Sequence, residues 1–176
     1  MSFEITIDDG EVKAALTALA ARIDNMQPVM QEIGEDIMER TKRRFGTSTG
    51  PDGQRWQQNA ASTVLSMIAR MGRKARLKNG NLSKKAQKTL MGKKVLVDTG
   101  SLARQFEVTA TANSVTVSNS MIYAAIHQFG GEAGRGKSVT IPARPFLPVT
   151  SSGEMYPDDQ KLVLEALQSY LRDAIG

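Results

Sequence analysis

Phe106-Glu-Val-Thr-Ala-Thr-Ala-Asn-Ser-Val-Thr-Val-Ser118 decides the fold class. Apolar and polar residues alternate from Phe106 to Thr111 and again from Ser114 to Ser118, with Asn113 between the runs. Successive strand side chains point to opposite faces, so a period of two means a half-buried strand. Two such runs joined at a turn residue predict a β-hairpin.

Upstream the period changes. Phe3-Glu-Ile-Thr-Ile7 still alternates and is expected to be a short strand, ended by Asp8, Asp9 and Gly10. From Glu11, Val12, Leu16, Leu19, Ile23 and Met26 recur every three or four positions, which predicts an amphipathic helix. Pro28 suits the first turn of a second helix, where its missing N–H has no partner to lose. Val29, Ile33, Ile37 and Phe45 give that helix one apolar stripe, ending near Gly46. Arg40 and Lys42-Arg43-Arg44 put positive charge at its C-terminal end, as the helix dipole favours. Gly46 to Gly53 reads as loop. A third helix is expected from about Ala60 to Met71, and Lys84 to Leu90 has helical character.

Nearer the hairpin, Lys94-Val-Leu-Val97 predicts a short strand, Asp98-Thr-Gly100 a turn and Ser101–Arg104 one helical turn. Downstream, Met121 to Phe129 predicts a short helix closed by Gly130-Gly131. A glycine-rich loop then leads to a strand at Ser138–Ile141. Pro142, Pro145 and Pro148 punctuate an extended segment that cannot be a central strand, with Phe146 and Leu147 expected to plug the core. Tyr156-Pro157 opens a last helix with Val163, Leu167, Tyr170 and Ala174 on one face. Helices, then a meander of strands, then a helix, without alternating βαβ units, is α+β: a mainly antiparallel sheet packed with helices. The 176 residues suit a single domain, 1–176.

Composition narrows the function. With 40% hydrophobic and 23% charged residues the chain is of ordinary globular type. It has no Cys, which removes disulfides, thiolate zinc sites and cysteine nucleophiles and suits a reducing cytoplasm. No apolar run approaches the roughly 18 residues of a membrane helix, and the acidic N-terminus does not read as a signal peptide, so no membrane partner is expected. The net charge of +5 hides an uneven spread: eleven Lys/Arg and no Asp/Glu lie between Arg55 and Val97, against 12 basic and 18 acidic residues elsewhere. Residues 72–94 combine Gly, Asn and cations with few apolar side chains, the pattern of a mobile basic insert. Arg70, Arg73, Lys74, Arg76, Lys78, Lys84, Lys85, Lys88, Lys93 and Lys94 are candidate contacts for an acidic surface or for nucleic-acid phosphates. Any nucleic-acid contact would be non-specific, because no aromatic residue between Trp56 and Phe106 is present to stack on bases.

No motif carries catalysis. His127 is the only histidine and has no second ligand or carboxylate cluster beside it in sequence. Metal ligation and acid–base work both need such partners, so His127 is expected to be structural, its ring nitrogens bonded to loop backbone. Gly130-Gly-Glu-Ala-Gly-Arg-Gly136 follows a helix and precedes a strand, the reverse of a phosphate-binding loop. A single Asp98-Thr-Gly100 lacks the second aspartate of a protease dyad, and Asp98 or Thr99 is expected to cap the next helical turn. Trp56 is either a core residue or an interface anchor. No catalytic residue, metal or cofactor is expected.

Four motifs stand in order: Asp52-Gly-Gln-Arg-Trp56, Leu96-Val-Asp-Thr-Gly-Ser-Leu-Ala-Arg104, Tyr123-Ala-Ala-Ile-His-Gln-Phe-Gly130 and Ile141-Pro-Ala-Arg-Pro-Phe-Leu147. Together they resemble the phage virion morphogenesis family of tail completion proteins of Mu-like phages and prophages, over nearly the whole chain. The resemblance implies a tail-terminator-like fold and a homo-oligomeric ring, a hexamer, that caps the tail tube and meets head and neck proteins. It implies no catalytic residue, and a place in the bacterial host cytoplasm during assembly and then in the virion. Trp56, Asp98, Thr99, Gly100, Leu102, Tyr123, His127, Phe129, Gly130, Pro142, Arg144, Pro145 and Phe146 are the motif positions, expected to be structural.

Overall fold

Every helix expected from the apolar period is present in the computed structural model, which describes residues 10–174. The strand expected at Phe3–Ile7 lies outside the described residues. Helices α1 (Gly10–Asp24), α2 (Gln27–Thr47), α3 (Ala61–Arg70) and α4 (Lys84–Met91) come first, then the helical turn α5 (Ser101–Arg104). The hairpin β1 (Phe106–Ala110) and β2 (Val115–Asn119) follows, then α6 (Ala124–Phe129), β3 (Gly131–Ala133), β4 (Val139–Ile141) and α7 (Pro157–Arg172). The architecture is α+β, with two separate two-stranded sheets.

Two strand readings change. Lys94–Val97 is a turn, not a strand: Leu96 has φ +60°, a left-handed conformation that breaks an extended run, and the Val97 N–H donates to the Lys94 carbonyl at 3.4 Å. Conversely, the glycine-rich stretch after α6 contains β3, which pairs antiparallel with β4 in the register Gly131↔Ile141, Glu132↔Thr140 and Ala133↔Val139. Its three residues are too short to show a period.

The chain groups into two compact units, and α2 runs through both. Among the described residues, 10–38, 107–118 and 157–174 form the first. Its core is Val29, Ile33 and Ile37 of α2, packed against Met26, Val115, Val117, Val163, Ala166, Leu167 and Tyr170. The hairpin lies so close to α2 that a Cβ on Gly34 would collide with the side chains of Val108 and Val115, which explains a glycine in mid-helix. Helix α1 meets α7 through Arg22, whose guanidinium sits 4.3 Å from the centroid of the Tyr170 ring; the Tyr170 hydroxyl donates to the Asn25 carbonyl at 2.6 Å.

Residues 39–106 and 119–156 form the second unit. Its core is an aromatic cluster: Phe45 lies 5.4 Å from Trp56, 6.2 Å from Phe106 and 5.2 Å from Phe146, and Phe106 lies 5.9 Å from Phe146. Tilted and edge-on rings at these separations suit the aromatic quadrupole. One tight turn recurs three times around this core, closed by the bridges Thr49↔Arg55, Arg76↔Leu82 and Val149↔Met155. Each turn places a glycine, Gly53, Gly80 or Gly153, at φ between 74° and 86°, where a Cβ would be strained.

Candidate functional site

The second unit gathers the four sequence motifs around one extended segment, 142–149. Prolines 142, 145 and 148 remove three donors from that segment, yet its carbonyls still need partners once buried. Side chains from elsewhere supply them. Arg44 Nη1 donates to the Phe146 carbonyl at 2.8 Å, and Trp56 Nε1 to the Pro145 carbonyl at 3.0 Å. Gln128 Nε2 donates to the carbonyls of Leu147 and Val149 at 3.2 and 2.9 Å. In return Gln128 Oε1 accepts from the N–H groups of Phe146 and Leu147 at 2.8 and 2.9 Å. The Arg144 N–H donates to the His127 carbonyl at 2.8 Å, while its buried guanidinium donates to the carbonyls of Gln57 and Gln58 at 2.9 and 3.1 Å. Phe146 is fully buried, as expected, and Leu147 is half-buried.

The remaining motif residues divide between core and surface. Trp56 is a core residue, which settles its two readings. Leu102 is buried. Gly130 has φ +74°, and a Cβ there would lie 2.9 Å from the Ala143 nitrogen, so the helix end and the extended segment touch only because the residue is glycine. Thr99 Oγ1 accepts from the Ser101 N–H at 3.3 Å, and Arg104 reaches back to the Thr99 carbonyl at 2.8 Å. Tyr123 precedes α6 instead of lying within it and meets the His127 ring edge-on at 5.9 Å. Phe129 is 47% exposed. Gln128, which the sequence reading passed over, holds the segment together.

An open groove of about 540 Å³ runs beside this cage, lined by the start of α3, the 96–102 turn, Tyr123, His127, β4 and Arg144. His127, Asp98 and Ser101 share it, but no hydrogen bond joins any two of them. Asp98 is held by Arg70 at 2.8 Å and Lys93 at 3.0 Å, and these hydrogen bonds keep its carboxyl below the usual range. The Ser101 hydroxyl bonds Thr99 at 2.8 Å. His127 Nδ1 is buried without a partner, so the ring-to-backbone bond expected at that nitrogen is not made; the residue is tied to the segment through its own carbonyl, which accepts from the Arg144 N–H. Burial lowers the His127 pKa, and the nearby Arg144 cation lowers it further. Burial likewise lowers that of Arg144. Among the described residues no group of three or more His, Asp and Glu is placed to hold a metal ion, and no helix is long and apolar enough to cross a membrane.

The candidate contact cations divide. Arg70 and Lys93 are taken by Asp98, and Arg76 donates to the Gly80 carbonyl at 2.8 Å. Arg73 and Lys74 lie on a 3₁₀ turn at Gly72–Ala75, Lys78 in the turn closed by the Arg76↔Leu82 bridge, and Lys84, Lys85 and Lys88 on α4; Lys94 lies outside these elements. Ala75 and Ala86 are buried, Ser83 caps α4 by accepting from the Ala86 N–H at 3.3 Å, and the Ser83 N–H donates to the Ala75 carbonyl at 2.8 Å. Arg73, Lys74, Lys78, Lys84, Lys85, Lys88 and Lys94 all point outward and form no ion pair among the described residues.

Comparison with known proteins matches residues 7–172 to the phage virion morphogenesis family. A stretch of 60 residues, 34% of this chain, is 50% identical to the Mu-like prophage FluMu G protein 2 of Haemophilus influenzae, and covers 39% of that relative. No solved structure matches.

Proposed function

We propose that this chain, which belongs to the phage virion morphogenesis family, is a non-catalytic assembly component that completes the tail and prepares it to join the head. It works as a homo-oligomeric ring, a hexamer, seated on the tail tube and facing head and neck proteins, formed in the host cytoplasm and kept in the virion. The observation that carries the reading is the family match across residues 7–172. The geometry agrees with it: the polar groups of Trp56 and Gln128 are spent on the backbone of one extended segment, and the Arg144 guanidinium on the carbonyls of Gln57 and Gln58. The 50% identical stretch shared with a Mu-like prophage protein supports a prophage setting.

The test is light scattering on the purified full chain, alone and with tail tubes, together with complementation of a phage lacking the gene. A closed oligomer of about six chains and tails that regain their heads are expected. A protein that stays monomeric in both conditions, or full-length infectious particles formed without it, would overturn the reading.

A further inference from the structure

The two compact units carry opposite charge. Among the described residues the first holds 10 Asp/Glu against 4 Lys/Arg, a net of −6, and the second 19 Lys/Arg against 5 Asp/Glu, a net of +14. In the second unit the excess is concentrated on a folded platform, the 3₁₀ turn, hairpin and α4. Lys84, Lys85 and Lys88 stand on α4 within one turn of each other, and like charges at this spacing repel. Lys84 and Lys85 also occupy the first turn, where the helix dipole disfavours cations, and no acid is there to compensate. The platform therefore holds electrostatic energy that only an outside anion relieves. Beside the lysines it exposes apolar side chains, Leu77 at 53% and Met91 at 88%.

The first unit shows the reverse. Glu32, Glu35 and Asp36 lie exposed on α2, three and four residues apart and therefore on one face, with no cation bonded to them among the described residues. This unit too exposes apolar side chains, Val12, Leu16 and Ile23 of α1.

We infer that the α4 platform of one copy docks on the acidic α2 face of a second copy, so that subunits associate head to tail through opposite charges. This deepens the ring reading and rests on it. A head-to-tail contact repeated around an axis closes a ring when its rotation permits. Charge complementarity sets the register and speeds encounter, and the exposed apolar side chains lose water at the contact.

The experiment is a charge swap in the full chain. One variant carries Lys84→Glu, Lys85→Glu and Lys88→Glu; the other carries Glu32→Lys, Glu35→Lys and Asp36→Lys. Circular dichroism and Trp56 fluorescence check that each folds. Each alone should associate at least roughly tenfold more weakly, the scale of three exposed pairs. An equimolar mixture should recover assembly, because the reversed platform of one then meets the reversed face of the other. Wild-type association should weaken as salt shortens the Debye length from about 10 Å to about 3 Å between 0.1 and 1 M. Two folded variants that assemble like wild type, or whose mixture recovers nothing, overturn the contact while leaving the ring reading intact. A closed dimer that obeys the same charge rules keeps the contact and removes the ring. Loss of retention on random duplex DNA by the α4 variant, with assembly unchanged, would make the platform a nucleic-acid site and overturn the inference.

Discussion

Replacing Gln128 with Leu is expected to destabilise the second unit by about 3–5 kcal/mol. The change roughly keeps side-chain volume and removes four hydrogen bonds, at 2.8, 2.9, 2.9 and 3.2 Å. The partner orphaned most severely is the Phe146 N–H, whose bond is buried. A buried donor left unpaired costs about 1–3 kcal/mol. The Leu147 N–H and the carbonyls of Leu147 and Val149 are part-buried, and water reaches them once the segment loosens. Each of those is worth about 0.5–1 kcal/mol, the usual net value of a hydrogen bond. The sum runs from about 2.5 to about 6 kcal/mol, and the stated range is its middle. Gln128→Glu should fall between the variant and the wild type: a carboxylate still accepts from both N–H groups but faces two carbonyl oxygens without a proton to offer. Urea unfolding monitored by Trp56, the only tryptophan and packed 5.4 Å from Phe45 in the same unit, reads the effect directly. A Leu variant within about 1 kcal/mol of wild type, less than one orphaned buried donor, would refute the claim that this amide holds the segment.

Three further outcomes follow from the same geometry. Phe146→Ala leaves a cavity among Phe45, Phe106 and Trp56, and the same urea assay should show a loss of about 3–5 kcal/mol; an unchanged midpoint would mean the ring is not buried. Gly100→Ala forces an L side chain to φ +81° against the Arg104 guanidinium, for a loss of about 1–3 kcal/mol in thermal unfolding, whereas no loss would mean that the turn rearranges freely. His127 is depressed in the folded state by burial and by Arg144, so the unfolded chain takes the proton first as pH falls. Stability is therefore unaffected above about pH 6.5, the ordinary imidazole value, and declines below it. His127→Gln should flatten that decline and leave assembly intact, and an NMR titration midpoint above 6.5 for His127 would reverse the sign.

The helices were legible because their burial follows one stripe. Val29, Ile33, Ile37 and Phe45 recur on α2 and all four are buried. On α1 the same rule overreached: its apolar arc is wider than the face it turns inward, so Val12, Leu16 and Ile23 stay exposed. Gln128 was invisible because a polar residue in a short helix reads as surface. A signal did exist in the three prolines downstream. A segment short of N–H groups but rich in carbonyls must borrow donors when buried. Trp56, Arg44 and Gln128 are donors of the needed kind, and Trp56 and Gln128 stood in the quoted motifs. Residues 72–94 carry local turn and cap signals that their composition hides. Their Asn79-Gly80 is a turn signal between two short runs, and Asn79 Oδ1 accepts from the Asn81 N–H at 3.1 Å to close that turn.

Charge shows why chain order and spatial order must be read together. In sequence the acid-free window from Arg55 to Val97 looks like one basic insert in an acidic body. The packing draws a different boundary. Arg40, Lys42, Arg43 and Arg44 at the end of α2, together with Arg104, Arg135, Lys137 and Arg144, belong to the same unit as that window. The acids of α1, of the first part of α2 and of α7 belong to the other. The charge pattern thus follows the units and not an insert. Opposite charge confined to separate units of one chain favours association between copies, and it does so over the Debye length, before any apolar contact forms. On the proposed ring reading that order of events matters, since long-range attraction would select the orientation and short-range packing would then hold it.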